Sequence, residues 1–216
     1  MITLAEELIL LAIEDDGAIS YTAGAPGFAP ALISAYLVEL STNGRIDADL
    51  STIRVLSSKP TGLPAEDKVL EALAAGPAQS IEAWLQALQA SSPALLKMSL
   101  GLLVSRGILA AKDSRFMWVL QSRRYPVVEG REQKEAKLRV LGTLLGTDIP
   151  TPHDSALVGL ARAAQLLEGF LSSAEISRLE ERISLVGGID LFVKAAEAAI
   201  RAESTLRATA FMSPMF

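Results

Sequence analysis

The stretch SPALLKMSLGLLVSRGILAAKDSRFMWVLQSRRYP, residues 92–126, decides how the chain is read. Pro93 suits the first turn of a helix, where a missing N–H is tolerated. Apolar residues then recur at helical spacing until Arg106 and Gly107 end the run. Residues 108–111 and 116–121 read as the arms of a hairpin turning at Lys112, Asp113 and Ser114. Just upstream, Ser80 is a natural N-cap for a helix carrying Glu82, Trp84, Leu85 and Leu88. Helix, turn, helix and hairpin follow one another.

The same succession occurs earlier. Thr3, with Glu6 three residues on, has the form of a capping box, and Leu4, Leu8, Leu11 and Ala12 share a helical face. Asp15-Asp16-Gly17 stops that helix and residues 18–21 read as a short strand. A second apolar helix spans about 29–42 and closes at Asn43-Gly44, a pair suited to positive φ. Residues 45–49 and 52–56 then alternate like hairpin arms, while Pro60-Thr61-Gly62 is a turn. After Pro126 the pattern is helical, at about 129–145, 154–171, 174–184 and 189–210, with breaks at Pro150, Pro152 and Gly187-Gly188. The expected fold is mainly α, with two winged-helix-like units whose hairpins are short.

Composition agrees. Half of the 216 residues are hydrophobic but only 5% are aromatic, so aliphatic side chains and alanine must build the core. The length suits one domain or two small ones. No cysteine is present, which removes disulfides, thiolate nucleophiles and zinc–thiolate sites and fits a reducing cytoplasm. The apolar run 8–13 is flanked by Glu6, Glu7, Glu14, Asp15 and Asp16, unlike a signal peptide, and is too short to span a bilayer. A soluble protein is expected.

The net charge of −5 is unevenly spread. Residues 97–139 hold ten basic side chains and four acidic ones, a local +6 that leaves −11 for the rest. Such a molecule can orient against an anionic surface, although alternating charge on solvated helices gives the same count. Nucleic acid is not the expected partner. Of the helices that would enter a groove, the first has no Lys or Arg and the second has only Lys97 and Arg106. Catalytic and metal constellations are also missing from the pattern. His153 reads as a surface polar group at a helix start, and Glu6-Glu7, Asp15-Asp16 and Glu180-Glu181 diverge as adjacent residues do on a helix. No glycine-rich turn leads into a phosphate-binding Lys-Ser or Lys-Thr. Neither enzyme activity nor a cofactor is expected.

The run FMWVL, 116–120, is the remaining feature. As a strand it would turn Phe116, Trp118 and Leu120 to one side, and Met117 and Val119 to the other, with no polar face. Protein covers both sides, or one side meets a partner or a membrane interface. Trp beside Arg suits the headgroup region.

Several ordered segments resemble the Golgi phosphoprotein 3 family, peripheral membrane proteins that read phosphatidylinositol 4-phosphate. These are ITLAEELILL (2–11), YLVELSTNGRI (36–46), KPTG (59–62) followed by LEAL (70–73), LVSRGIL (103–109) and RYP (124–126). The resemblance runs nearly end to end and implies one domain over 1–216, built as a central helical bundle with amphipathic helices and short hairpins around it. It implies that the 108–121 hairpin serves membrane insertion or self-association. The chain opens at the domain, without the basic arm of eukaryotic members, which implies a bacterial member. At the family's headgroup ligands the match fails: the Trp and three Arg columns fall near Gly24, Ile33, Pro93 and Leu96.

The expectation is therefore a non-enzymatic lipid-headgroup-binding adaptor, cytoplasmic and peripheral on the inner face of a membrane. Lys97, Arg106, Arg115, Arg123 and Arg124 are the candidate ligands for anionic phospholipid headgroups, phosphoinositides among them, and Phe116, Met117 and Trp118 the inserting or self-associating residues. The alternative is a soluble protein-interaction scaffold that forms homo-oligomers through the hairpin.

Overall fold

The computed structural model describes residues 2–14, 17–19, 27–49, 51–113 and 123–211. Among them the protein is mainly α: α1 (Leu4–Ala12), α2 (Phe28–Thr42), α3 (Pro64–Ala75), α4 (Ile81–Gln89), α5 (Ser92–Ser105), α6 (Arg131–Leu145), α7 (Pro152–Ala163), α8 (Ser173–Gly187) and α9 (Leu191–Phe211). Two antiparallel hairpins accompany them, β1 (Ile46–Ala48) with β2 (Ile53–Val55), and β3 (Lys112–Asp113) with β4 (Arg123–Arg124).

Hydrophobicity explains which helices lie inside. Every residue of α1 is buried, as are eleven positions of α2 and the run 155–161 of α7. An apolar helix without a polar stripe finds solvent on no side, so other helices must surround it. Accordingly α1 packs on α2, α5, α6 and α7, while α2 also meets α3, α4 and α9. The outer helices keep polar faces. In α6 only Ala136, Val140 and Leu144 are buried, a four-residue spacing that marks a single inward stripe. No single described helix is long and apolar enough to cross a membrane. The apolar pair α4 and α5 is bent by 80° at its junction.

Local signals hold where caps are clear. Thr3 and Glu6 form the capping box of α1, Ser80 caps α4 through Ala83 N, and Gly44 takes φ +63 just after α2. Ile19 forms a single bridge to Ile13. The helix α3 follows the Pro60-Thr61-Gly62 turn, whose backbone and hydroxyl donors are gathered by Asp67.

The hairpin after α5 departs from expectation. Residues 108–110 pair with 126–128: Leu109 bridges Val127, Ala110 N donates to Pro126 O at 2.9 Å, and Val128 N to Ile108 O at 3.0 Å. Lys112 and Asp113, expected in the turn, are strand residues opposite Arg124 and Arg123. Leu109 and Tyr125 are both buried, so core packing at the hairpin base fixes the register that polarity alone misassigned. Residues 116–121 themselves lie outside the described residues. The helix expected over 154–171 stops at Ala163, because Gln165 takes a left-handed conformation. A short 3₁₀ turn, Leu167–Gly169, follows.

Candidate functional site

The stem of the second hairpin is tied to the turn after α1. Tyr125 N donates to Gly17 O at 2.7 Å, and Gly17 stands so close to Pro126 that a Cβ would lie 2.5 Å from its nitrogen. Only glycine meets that approach with φ +79. From this anchor the paired strands carry Lys112, Arg123 and Arg124 in register, separated in sequence by residues 114–122, which include FMWVL. Arg115, Phe116, Met117 and Trp118 lie outside the described residues, and for Arg123 and Arg124 the backbone alone is described.

The other two candidate ligands lie on α5 and its C-cap. Nine residues separate Lys97 from Arg106, which on a helix of 3.6 residues per turn sets them on opposite sides. Lys97 is exposed and has no ion-pair partner among the described residues. Arg106 Nη1 donates at 3.0 Å to both oxygens of Glu6, whose side chain is 2% exposed. That guanidinium acts as the counter-ion of an interior carboxylate. The family's ligand columns offer no substitute: Ile33 is fully buried and Leu96 packs on the core.

The sequence reading missed a network on the other flank of α1. Arg139 Nε donates to Glu7 Oε1 at 3.0 Å and its Nη1 to Asp154 Oδ1 at 3.3 Å, while His153 Nε2 bonds Glu7 Oε2. The Glu7 carboxylate raises the pKa of His153 above its ordinary value by this hydrogen bond. His153 is thus tied to the core instead of being a free surface group. Gln133 Nε2 donates to the carbonyls of Leu10 and Ile13, serving the unpaired end of α1. Arg131 pairs with Glu135. Among the described side chains of 97–139, Arg106, Arg131 and Arg139 are therefore engaged with carboxylates.

A third carboxylate is buried without full compensation. Glu66 is 2% exposed, and its Oε2 has no hydrogen-bond partner. Burial, reinforced by Glu39, raises its pKa to about 7. Beside it lies a cavity of about 10 Å³ that Thr3, Glu6, Tyr36 and Ser99 help to line, space for one water. Among the described residues no group of three or more His, Asp or Glu is arranged to hold a metal ion.

Comparison with curated proteins gives no significant match. In the family comparison, the model of Golgi phosphoprotein 3 (GPP34) matches residues 4–202. The match takes in α1 to α8 and most of α9, and the chain belongs to the Golgi phosphoprotein 3 (GPP34) family.

Proposed function

We propose that this protein is a non-enzymatic peripheral membrane protein that binds anionic lipid headgroups, phosphoinositides included, through the β3–β4 hairpin. Membership of the family supports the peripheral, non-enzymatic role. The observation that carries the lipid reading is the register of the stem, in which Lys112 opposes Arg124 beside Arg123, with the apolar run between the strands in sequence. Phe116, Met117 and Trp118 enter the interface, while Arg115, Arg123 and Arg124 hold lipid phosphates and Lys97 adds longer-range attraction. Arg106 contributes least, because Glu6 already neutralises it. The reading takes 1–216 as one domain, in keeping with a buried hydrophobic cluster that includes Leu4 and Ala196. It sets the protein in the cytoplasm, on the inner face of a membrane.

Magnitudes make the attachment reversible. Each buried large apolar side chain contributes about 1.5–3 kcal/mol and each nearby cation about 1 kcal/mol on anionic lipid. Immobilisation at the surface offsets several kcal/mol of that sum. Co-sedimentation with phosphatidylglycerol vesicles tests it. Binding should fall as salt rises from ~50 to ~500 mM, and the double change Arg123→Glu, Arg124→Glu should weaken it about tenfold or more. Equal binding to phosphatidylcholine vesicles, insensitive to salt, would remove the electrostatic basis. Comparison of phosphatidylinositol 4-phosphate with phosphatidylinositol at equal charge tests 4-phosphate selectivity, and near-equal binding is expected because the ligand columns are unmatched.

A second reading has its own support. The β3–β4 sheet has two strands among the described residues, and a two-stranded sheet offers edges to another chain. In that scaffold reading the same double change alters oligomer size in light scattering and leaves lipid binding untouched.

A further inference from the structure

Helices α7 and α8 touch backbone to backbone at Gly159 and Gly187. A Cβ on Gly187 would stand 2.7 Å from Gly159 Cα, and one on Gly159 would stand 2.5 Å from Val193 Cγ1 of α9. Beyond that pinch the three helices part around a cavity of about 390 Å³, within the range of small-molecule sites. Its polar wall is Arg162, Gln165, Glu180, Ser184, Glu197 and Arg201, and Ile183 and Ile200 supply apolar surface.

The charges come as two opposed pairs. Arg162 Nη2 donates to both oxygens of Glu180 at 3.1 Å. Arg201 Nη1 lies 3.6 Å from Glu197 Oε2, beyond hydrogen-bond length, and its side chain is 70% exposed. One pair is closed and the other is open. The wall is electrically balanced, so a bare anion would meet two carboxylates and a bare cation two guanidinium groups. A small molecule carrying both charges would meet a partner for each.

Gln165 gives an independent sign of use. Its φ of +58 makes it the only non-glycine residue with positive φ among the described residues. It occupies the turn after α7, where Leu166 N returns to Ala161 O and Gln165 N to Arg162 O. At the corresponding turns after α2 and α5 the chain has Gly44 and Gly107, which adopt this conformation without strain. Glutamine is the less stable choice there, and it is a residue that lines the cavity. Backbone strain kept at a cavity is a mark of function.

We propose that this cavity binds a small zwitterion, a primary ammonium joined by a short linker to a phosphate or carboxylate. Glu197 takes the ammonium, Arg201 takes the acid group, and the Gln165 amide and Ser184 hydroxyl bond its remaining polar atoms. The site is separate from the hairpin and does not rest on the lipid reading above. Either a free amino acid-like metabolite or an ethanolamine-type lipid headgroup presents this chemistry.

Calorimetry of the full chain with phosphoethanolamine and L-serine tests the proposal, with inorganic phosphate and ethylammonium as single-charge controls. At least one zwitterion should bind in the millimolar range or tighter, about tenfold better than either control. Arg201→Gln and Glu197→Gln should each weaken binding about tenfold. Gln165→Gly should weaken it while leaving the melting temperature equal or higher, a split that a purely structural role would not give. Vesicles containing phosphatidylethanolamine distinguish the source: binding there that Arg201→Gln abolishes assigns a lipid headgroup, and binding of free zwitterion alone assigns a metabolite. Absence of binding by both, inorganic phosphate binding as well as the zwitterion, or binding unchanged in all three variants would overturn the proposal.

Discussion

Glu66 shows how a single side chain can set a pH dependence. Its carboxyl is buried near Glu39 and Glu6, with one oxygen unpaired, and its pKa is raised from 4.5 to about 7. The folded protein therefore keeps a proton between these values that the unfolded chain releases, so stability falls as pH rises through that window. With about 1.4 kcal/mol per pKa unit, the loss between pH 5 and pH 8 is on the order of 2–3 kcal/mol. Glu66→Gln should remove it, so urea unfolding at pH 8 should find the variant more stable than the parent and nearly equal to it at pH 5. A constant difference at both pH values would contradict the assignment. His153 acts with the same sign, although here it is the charged form that the fold favours. Its raised pKa, from the bond to Glu7, stabilises the fold while the ring is charged and is lost as pH rises through the folded value. His153→Gln should cost about 1 kcal/mol near pH 6 and less near pH 9. The sequence reading correctly expected Glu6 and Glu7 to diverge, yet it did not expect both to be buried. Their partners stand 100 and more residues away, at Arg106, Arg139 and His153, and no local pattern announces such pairs.

At the scale of elements, legibility follows the range of the interactions. Capping boxes, Pro in first turns and Asn-Gly closures act within four residues, and the starts of α1 and α4 and the close of α2 were readable from them. The second hairpin was not, because its register follows the burial of Leu109 and Tyr125 and the hydrogen bond from Tyr125 N to Gly17 O, a residue far away in sequence. The end of α7 was missed for a related reason: a glutamine where glycine is usual gives no stop signal. The stem's dependence on Gly17 can be measured. Gly17→Ala places a Cβ 2.5 Å from Pro126 N at φ +79, and should destabilise by about 2 kcal/mol in chemical unfolding. If the stem positions the cations, vesicle binding should fall in the same variant under conditions where it stays folded. Unchanged stability would mean that the contact yields freely.

For the whole molecule, charge layout matters more than net charge. The chain carries −5, with its basic excess confined to residues 97–139, and among the described side chains there Arg106, Arg131 and Arg139 are engaged by carboxylates. In the lipid reading, attraction to an anionic surface rests on the cations of this segment, so binding should fall with salt, while the same screening relieves repulsion by the acidic remainder. Sequence reading identified the family and the helical class, but the counter-ion roles of Arg106 and Arg139 required three dimensions. The most direct test uses the two tryptophans. Trp84 is buried and its indole nitrogen has no partner, so Trp84→Phe should be tolerated and leaves Trp118 as the only indole. Mixed with phosphatidylglycerol vesicles bearing brominated acyl chains, this variant should show quenched, blue-shifted emission at low salt, lost on adding Arg123→Glu and Arg124→Glu. A Trp118 emission that stays the same with anionic and neutral vesicles alike would contradict membrane attachment through the hairpin.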